Sequence, residues 1–431
     1  QSQRDGAGGG SVLFEGILEE FPAALEEGAS LPVSPLSRNS QWRSCMERKN
    51  DSNFKRLHNM YLSLCLFRGA SPRLGALLCQ AAYSQLLQTD LLPYQCPEEP
   101  EGDQEEKADD KAVLFQSEAV QRTFLNKLID VALAWHRNFP KVALCPSRNL
   151  QCSIHAIKNT RRKMEDRHLA LAEFNQLFGI QDDVDRAYYA VFDGHGGVDA
   201  ATYASTHLHV VLSKQEMLQS DATTAFKTAF KRTDDMFRNK AKRERLRSGS
   251  TGVAVLIQDQ ELTVAWLGDS QAILVRDGHV VRLMDPHKPE REDEKQRIED
   301  LGGCITFMGC WRVNGTYAVS RAIGDFDQKP FVSGDAESLT MKLQGDEDYV
   351  LLACDGFFDA VKASAVPHLV MDALKLAGKP EGGTAPVEQS EDDVGARVAQ
   401  QLVGNAKTAG SSDNITVMVV FLRPPEQLLA Q

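Results

Sequence analysis

The 431-residue chain has no apolar run long enough to cross a membrane and no basic-then-apolar signal segment at its start. It has no excess of positive charge. At a net charge of −12 it is a poor candidate for a nucleic-acid binder working by bulk charge. It has no CxxC pair and no paired Cys/His set of the zinc type. Its nine cysteines are odd in number, and several lie in apolar runs, the pattern of buried free thiols in a reducing compartment. There is no Cys-x5-Arg loop, no P-loop and no Gly-x-Ser-x-Gly elbow, so three common catalytic designs are excluded. No internal repeat is present. The reading is of a cytoplasmic chain, with nuclear shuttling an open alternative. The chain starts at Gln1 rather than Met and is read as a fragment or a processed product.

What the chain does have is 42% hydrophobic residues, enough for a sizeable core. Over half of the net charge lies in one segment, since Glu98 to Asp110 carries eight acidic residues against Lys107. Residues 1–10 are Gly-rich and read as disordered. The spacing predicts a short amphipathic helix over Val12–Leu25. It predicts two helices over Phe54–Leu92, broken near Gly69-Ala70-Ser71-Pro72, and a helix over Val113–Phe139 ended by Pro140. The resulting division is a helical extension over 1–96, an acidic linker over 97–111, a helical segment over 112–148, a strand-rich domain over 149–423 and a tail over 424–431.

From Ser153 onward the pattern changes to short strands and turns, with a hairpin around Asp277-Gly278. Strands without regular βαβ alternation predict largely antiparallel sheets in an α+β fold. Helices are expected over Asp199–Leu218, Ala222–Arg247 and Asp392–Thr408, and a mobile surface loop over Pro380–Glu391. Aspartates recur at the ends of the strand-like runs. Ala190-Val191-Phe192 precedes Asp193, Leu262–Leu267 precedes Gly268-Asp269, Tyr349–Cys354 precedes Asp355, and Ile415–Leu422 follows Asp413; Lys163-Met164-Glu165-Asp166 is a fifth acidic word. Carboxylates at several strand ends can converge at one rim, where they repel each other unless a cation lies between them. Oxygen-only ligands suit Mg²⁺ or Mn²⁺ rather than zinc. Two such metals can hold and acidify a water for in-line phosphoryl displacement.

These words, in this order, resemble the metal-dependent protein phosphatases of the PP2C type, from about Ser153 to about Leu422. Arg161–Asp166, Ser250-Thr251-Gly252, His287-Lys288-Pro289, Gly302-Gly303, Arg312–Gly315 and Ala318–Asp325 also fall in family order. The resemblance implies an antiparallel β-sandwich flanked by helices in α-β-β-α layers, and two Mn²⁺ or Mg²⁺ ions with a weaker third. It implies Asp193, the Gly194 carbonyl, Asp355 and Asp413 as central ligands. Glu165 would hold a metal-bound water, and Asp269 and Asp359 would serve the third ion. Arg161 would bind phosphate through its guanidinium fork. His195 would protonate the leaving oxygen, with a supporting hydrogen bond to a ligand as its open alternative. Arg312, in the segment resembling the family's flap, would contact substrate. The basic stretch Arg238–Arg247 reads as a solvated helix face.

The words Phe174–Gly179, Trp311–Gly315 and Asp355–Asp359, with the long N-terminal extension, look most like the members acting on calmodulin-dependent protein kinases. The expected function is therefore a protein serine/threonine phosphatase that reverses activation of calmodulin-dependent and p21-activated kinases. PIX-type exchange factors are possible partners, and neither nucleic acid nor membrane is expected. The competing reading is a pseudophosphatase scaffold, which loss of a central ligand would mark; no such ligand is lost.

Overall fold

A computed structural model describes residues 45–47, 72–96, 114–138, 150–377 and 397–429. The helix expected over Val12–Leu25, the acidic linker and the loop expected over Pro380–Glu391 lie outside the described residues. The chain divides into two compact units, residues 1–146 with 173–183, and residues 147–172 with 184–431.

In the first unit, β1 (Cys45–Glu47) pairs antiparallel with β2 (Leu114–Gln116), and α1 (Pro72–Leu87) packs on α2 (Ser117–Arg137). Leu114–Gln116 is thus a strand where the sequence suggested the start of a helix, and Cys45–Glu47 is a second short strand in the extension read as helical. Cys96 is disulfide-bonded, which departs from the reading of a reducing compartment, while Cys79, Cys152, Cys304, Cys310 and Cys354 are free thiols. The chain begins α1 at Pro72, a favoured first helical position because proline there forfeits no intrahelical donor. The short helix α3 (Phe174–Phe178) packs on α1 and ends at Gly179 in the left-handed conformation. Phe174 and Leu177 are buried. Residues 173–183 thus belong to the first unit, whereas the sequence reading kept 149–423 as one continuous domain.

The second unit contains two five-stranded antiparallel sheets. The elements are β3 (Cys152–Ile157), β4 (Arg167–Leu171), β5 (Arg186–Phe192), β6 (Gly194–His195), α4 (Asp199–Ser213), α5 (Ala222–Glu244), β7 (Gly249–Ser250), β8 (Gly252–Gln258) and β9 (Glu261–Leu267). They continue with β10 (Gln271–Arg276), β11 (His279–Arg282), α6 (Glu292–Asp300), β12 (Ile305–Phe307), β13 (Trp311–Val313), β14 (Ile323–Gly324), β15 (Glu337–Lys342) and β16 (Glu347–Ala353). The chain closes with α7 (Asp355–Phe358), α8 (Val366–Ala377), α9 (Val398–Thr408), β17 (Ile415–Phe421) and α10 (Pro425–Leu429). One sheet runs β11-β10-β16-β17-β3 and the other β15-β9-β8-β5-β4.

Strand alternation explains why the strand sequences read as unbroken apolar runs. In β16, Val350 and Leu352 join Val255, Val264 and Trp266 of the other sheet in the inter-sheet core. The intervening Tyr349, Leu351 and Ala353 pack with Val370, Leu374, Leu402 and Val403 of α8 and α9. On the far side, Tyr188 of β5 stacks on Phe226 of α5 at 6.5 Å. Both faces of the central strands are covered, which gives α-β-β-α layers. The β10–β11 hairpin turns at Asp277 (φ 45°) and Gly278 (φ 72°), the positive-φ pair that a two-residue loop needs to match strand twist.

Because the second unit has its own cores, a chain beginning at Ser147 should fold and turn over a small phosphopeptide. The loss of α1 uncovers Phe174 and Leu177, so this truncation should self-associate, and Phe174→Ser with Leu177→Ser should restore a monomer by light scattering. A monodisperse truncation without those changes would contradict the packing of residues 173–183. An unfolded one would show that the second unit depends on the first.

Candidate active site

Sheet polarity brings the acidic words together. In the second sheet Asp193 follows β5, Asp269 lies just beyond β9, and Asp166 immediately precedes β4. β4 is antiparallel to β5, with Arg167 opposite Phe192, and β8 is antiparallel to both β5 and β9. The start of β4 and the ends of β5 and β9 therefore share one rim. In the first sheet Asp355 lies just past β16 and Asp413 just before β17, and these strands pair antiparallel with Ala353 opposite Val417. The two rims join where Thr416 Oγ1 of β17 donates to Asp166 Oδ2 at 2.6 Å.

The loop before β4 is clamped by one side chain. Asn414 Oδ1 accepts from the Glu165 amide at 2.8 Å, and its Nδ2 donates to the carbonyls of Lys158 at 2.9 Å and Lys163 at 3.0 Å. A side chain at Gly356 would collide with the Asn414 carbonyl, so Asp355 can begin α7 only with glycine after it. Arg161 Nη2 donates to Asp413 Oδ2 at 2.5 Å, which fixes its guanidinium at the rim while most of the side chain stays exposed.

The carboxylates disturb one another. Burial, with the charges of Asp355 and Asp359, pushes Asp269 up to about 7. Burial, opposed by the Thr416 hydrogen bond and reinforced by Asp355 and Asp413, pushes Asp166 up to about 6. Burial and the charges of Asp166, Asp355 and Asp269 push Asp193 well above the usual carboxylate range. Asp355 is raised as well, burial being the main cause. Asp166 Oδ1 is buried and meets no hydrogen-bond donor. Carboxylate atoms of Asp166 and Asp193 lie within 4.8 Å of each other and of the Cys354 thiol. An all-carboxylate rim with raised pKa values and an unmatched buried oxygen fits a hard divalent cation, so these residues suit Mn²⁺ or Mg²⁺. The buried Cys354 thiol, raised by burial and by the charges of Asp166 and Asp193, is protonated and is taken up by Asn414 O at 3.5 Å.

His195 sits on β6, which pairs with β7 through Gly249. Its Nε2 lies 2.7 Å from Asp325 Oδ2. A side chain at Gly249 would overlap both of these groups, so the pair exists only because that position is glycine. Burial alone would lower the His195 pKa, but the hydrogen bond to Asp325 and the surrounding carboxylates outweigh it and raise it. Tyr317 meets the His195 ring edge-on at 6.1 Å.

The chain matches the family model "Protein phosphatase 2C" over residues 150–415. It belongs to the protein phosphatase 2C family. It is 50% identical to human protein phosphatase 1F over 97% of this chain and 88% of that protein. It is 49% identical to human protein phosphatase 1E over 91% of this chain and 49% of that protein. Among solved structures, a C. elegans sex-determining protein aligns with a TM-score of 0.67 at 22% identity, covering 88% of this chain and 90% of that one. A Toxoplasma gondii serine-threonine phosphatase 2C aligns with a TM-score of 0.54 at 22% identity, covering 65% of this chain and 96% of that one. These two likenesses show the fold. The relatives make this chain a metal-dependent serine/threonine phosphatase of the PP2C type. No helix among the described residues is long and apolar enough to cross a membrane.

Of the residues singled out by sequence, Asp193, Asp269, Asp355, Asp413, Glu165 and Arg161 lie on this rim. Asp359 is exposed at the end of α7 and pairs with Lys288 at 3.4 Å. Arg312 lies on the β12–β13 hairpin, where its Nη1 donates to the Thr316 carbonyl at 2.6 Å. The sequence reading gave no role to Asp166, Asn414 or Asp325. Asp166 stood in a quoted acidic word, and only the register of β4 shows that it, beside Glu165, reaches the buried rim. Asp325 lies 130 residues from His195 in sequence, a pairing that spacing cannot reveal.

The raised carboxylates give the metal-free protein a definite pH dependence. Asp166 and Asp269 stay protonated in the folded chain up to about 6 and about 7, against an ordinary 3.8. The unfolded chain releases those protons first, so stability present at low pH is lost as pH rises through this window. With chelator, the unfolding temperature should fall between roughly pH 4 and pH 7, and added Mn²⁺ should raise it more at the upper end. A chelated protein whose midpoint climbs through that window would contradict the proposed carboxylate repulsion.

Proposed function

We propose that this rim is a dinuclear Mn²⁺/Mg²⁺ centre that hydrolyses phosphoserine and phosphothreonine in protein substrates, chiefly activated calmodulin-dependent and p21-activated kinases. The convergence of carboxylates from both sheets carries the reading, because so much potential negative charge at one buried rim ionises at neutral pH only with a cation to offset it. Asp193, the Gly194 carbonyl, Asp355 and Asp413 would hold the two ions, and Glu165 would orient their water. When bound, the ions supply charge neutralisation and Lewis acidity for in-line displacement at phosphorus. The chain's own groups supply the rest. The exposed Arg161 fork, steadied by Asp413, orients the phosphate oxygens. His195 holds a proton for the departing oxygen. Its Nε2 faces Asp325, which leaves Nδ1 to deliver that proton. Arg312 steers substrate from the hairpin. PIX-type exchange factors would bind the N-terminal unit.

The direct test is Mn²⁺-dependent phosphate release from a phosphothreonine peptide. Asp355→Asn should remain folded and lose activity by roughly a hundredfold or more, as for removal of a main electrostatic element. Near-normal turnover of the metal-replete variant would sink the ligand assignment.

His195→Gln separates acid from support. A serine or threonine alkoxide leaves poorly and gains from protonation, whereas nitrophenolate leaves unaided. A general acid contributes about a hundredfold to ten-thousandfold, so the loss should be large on an alkyl phosphate and small on nitrophenyl phosphate. Asp325→Asn should shift the same ratio in the same direction. Equal losses on both substrates would remove His195 from the acid role.

A further inference from the structure

Lys288 brings an ammonium to the outer edge of this carboxylate rim. Its backbone is not free to move away. The preceding His287 is fully buried, stacks on Trp266 at 6.0 Å, places Nε2 3.2 Å from Glu337 and donates its amide to the Gly268 carbonyl at 2.8 Å. Gly268 is the residue before Asp269, so the lysine loop is tied to the backbone that presents that carboxylate. A turn closed by the Lys288 amide on Pro286 O at 3.0 Å and by the Arg291 amide on Lys288 O at 3.0 Å holds the loop from both sides. The ammonium then lies 3.4 Å from Asp359 Oδ1. The charges of Asp269, Asp359 and Asp355 all act on it, and together they overcome a burial that would otherwise lower its pKa.

We propose that the Lys288 ammonium is the chain's own counter-ion for the outer carboxylates Asp269 and Asp359, and that it competes there with a third divalent cation. This rests on the reading of the rim as a metal centre. A divalent ion binds carboxylate oxygen at roughly 2.0–2.6 Å. An ammonium already on Asp359 contests the same lone pairs and repels an incoming dication. Lys288 therefore sets the affinity of the outermost position, and the enzyme keeps two firmly held ions and a third that comes and goes. Lysine suits this role because its flexible stem can withdraw when metal arrives, while a guanidinium fork would hold on to the carboxylate.

The test is direct Mn²⁺ binding to the full chain, followed by the electron paramagnetic resonance signal of free Mn²⁺. The unaltered protein should take up two tight equivalents and a weak third. Lys288→Met should tighten the third by roughly tenfold or more, since a unit charge a few ångströms away is removed from a partly exposed site. Lys288→Arg should bind the third ion no more tightly than the unaltered protein. Adding Asp359→Asn to Lys288→Met should abolish the gain. Lys288→Gln gives the same readout should the methionine variant aggregate, because the side chain is 36% exposed and tolerates a polar replacement. Two tight equivalents with an unchanged third in the neutral variants would overturn this proposal alone. A gain that survives Asp359→Asn would overturn it too. Absence of any tight Mn²⁺ in the unaltered protein would overturn the metal-centre reading and this proposal with it.

Discussion

Carboxylates from two separate sheets are held at one rim under conditions that discourage their ionisation, and most local features of the second unit can be traced to that constraint. Asp166 and Asp269 are almost wholly buried, and Asp193 feels the charges of three neighbours. A chain folding to this state must either keep protons on these groups or place cations among them. The structure supplies partial remedies of its own: the Thr416 hydroxyl on Asp166, the Arg161 guanidinium on Asp413 and the Lys288 ammonium on Asp359. Each lies at the margin. None reaches Asp166 Oδ1, a buried oxygen that no donor meets. A need for protons or cations at the rim is thus a property of the fold before it is a property of the reaction.

The same constraint explains the rigid scaffolding around the rim. The Asn414 side chain spends all three of its hydrogen bonds on the loop that carries Glu165 and Asp166. Glu294, buried beneath the Ala318–Asp325 segment, is met by Arg321 at 2.6 Å and Arg297 at 2.9 Å and held far below the usual carboxylate range despite its burial. Asp234 accepts from the Gly324 amide at 2.7 Å, which fixes the residue before Asp325. The partner of His195 is therefore anchored from α5 and α6 rather than from the carboxylate rim. Asp325 and the carboxylate rim are thus held by different side chains, Asp234 and Glu294 on one side and Asn414 and Thr416 on the other.

What was legible in the sequence follows the same physics. Strands β9, β16 and β17 are covered on both faces, so their sequences are continuous apolar runs and their ends are marked by Asp or Gly. The Asp277-Gly278 turn announced its hairpin because only such a pair adopts positive φ twice at low cost. Strands of two residues, such as β6, β7 and β14, have no period to read; they exist because His195 and Gly324 are drawn to Gly249. The placement of α3 was equally invisible. Phe174 and Leu177 would look the same in sequence whichever unit they packed against.

Similarity is distributed unevenly along the chain, and that distribution separates shared chemistry from narrower traits. The family model covers residues 150–415, and an Arabidopsis relative described as probable protein phosphatase 2C 59 matches only 57% of the chain. Protein phosphatases 1F and 1E match 91–97% of it, so their likeness runs through the N-terminal unit. The carboxylate rim needs only the second unit, since every residue that forms or clamps it lies between Lys158 and Thr416. Among the described residues, none of the first unit is named in it. The likeness to protein phosphatases 1F and 1E therefore extends beyond the residues that form the rim. Residues 173–183 cluster with that same first unit, so it draws its sequence from both sides of Ser147.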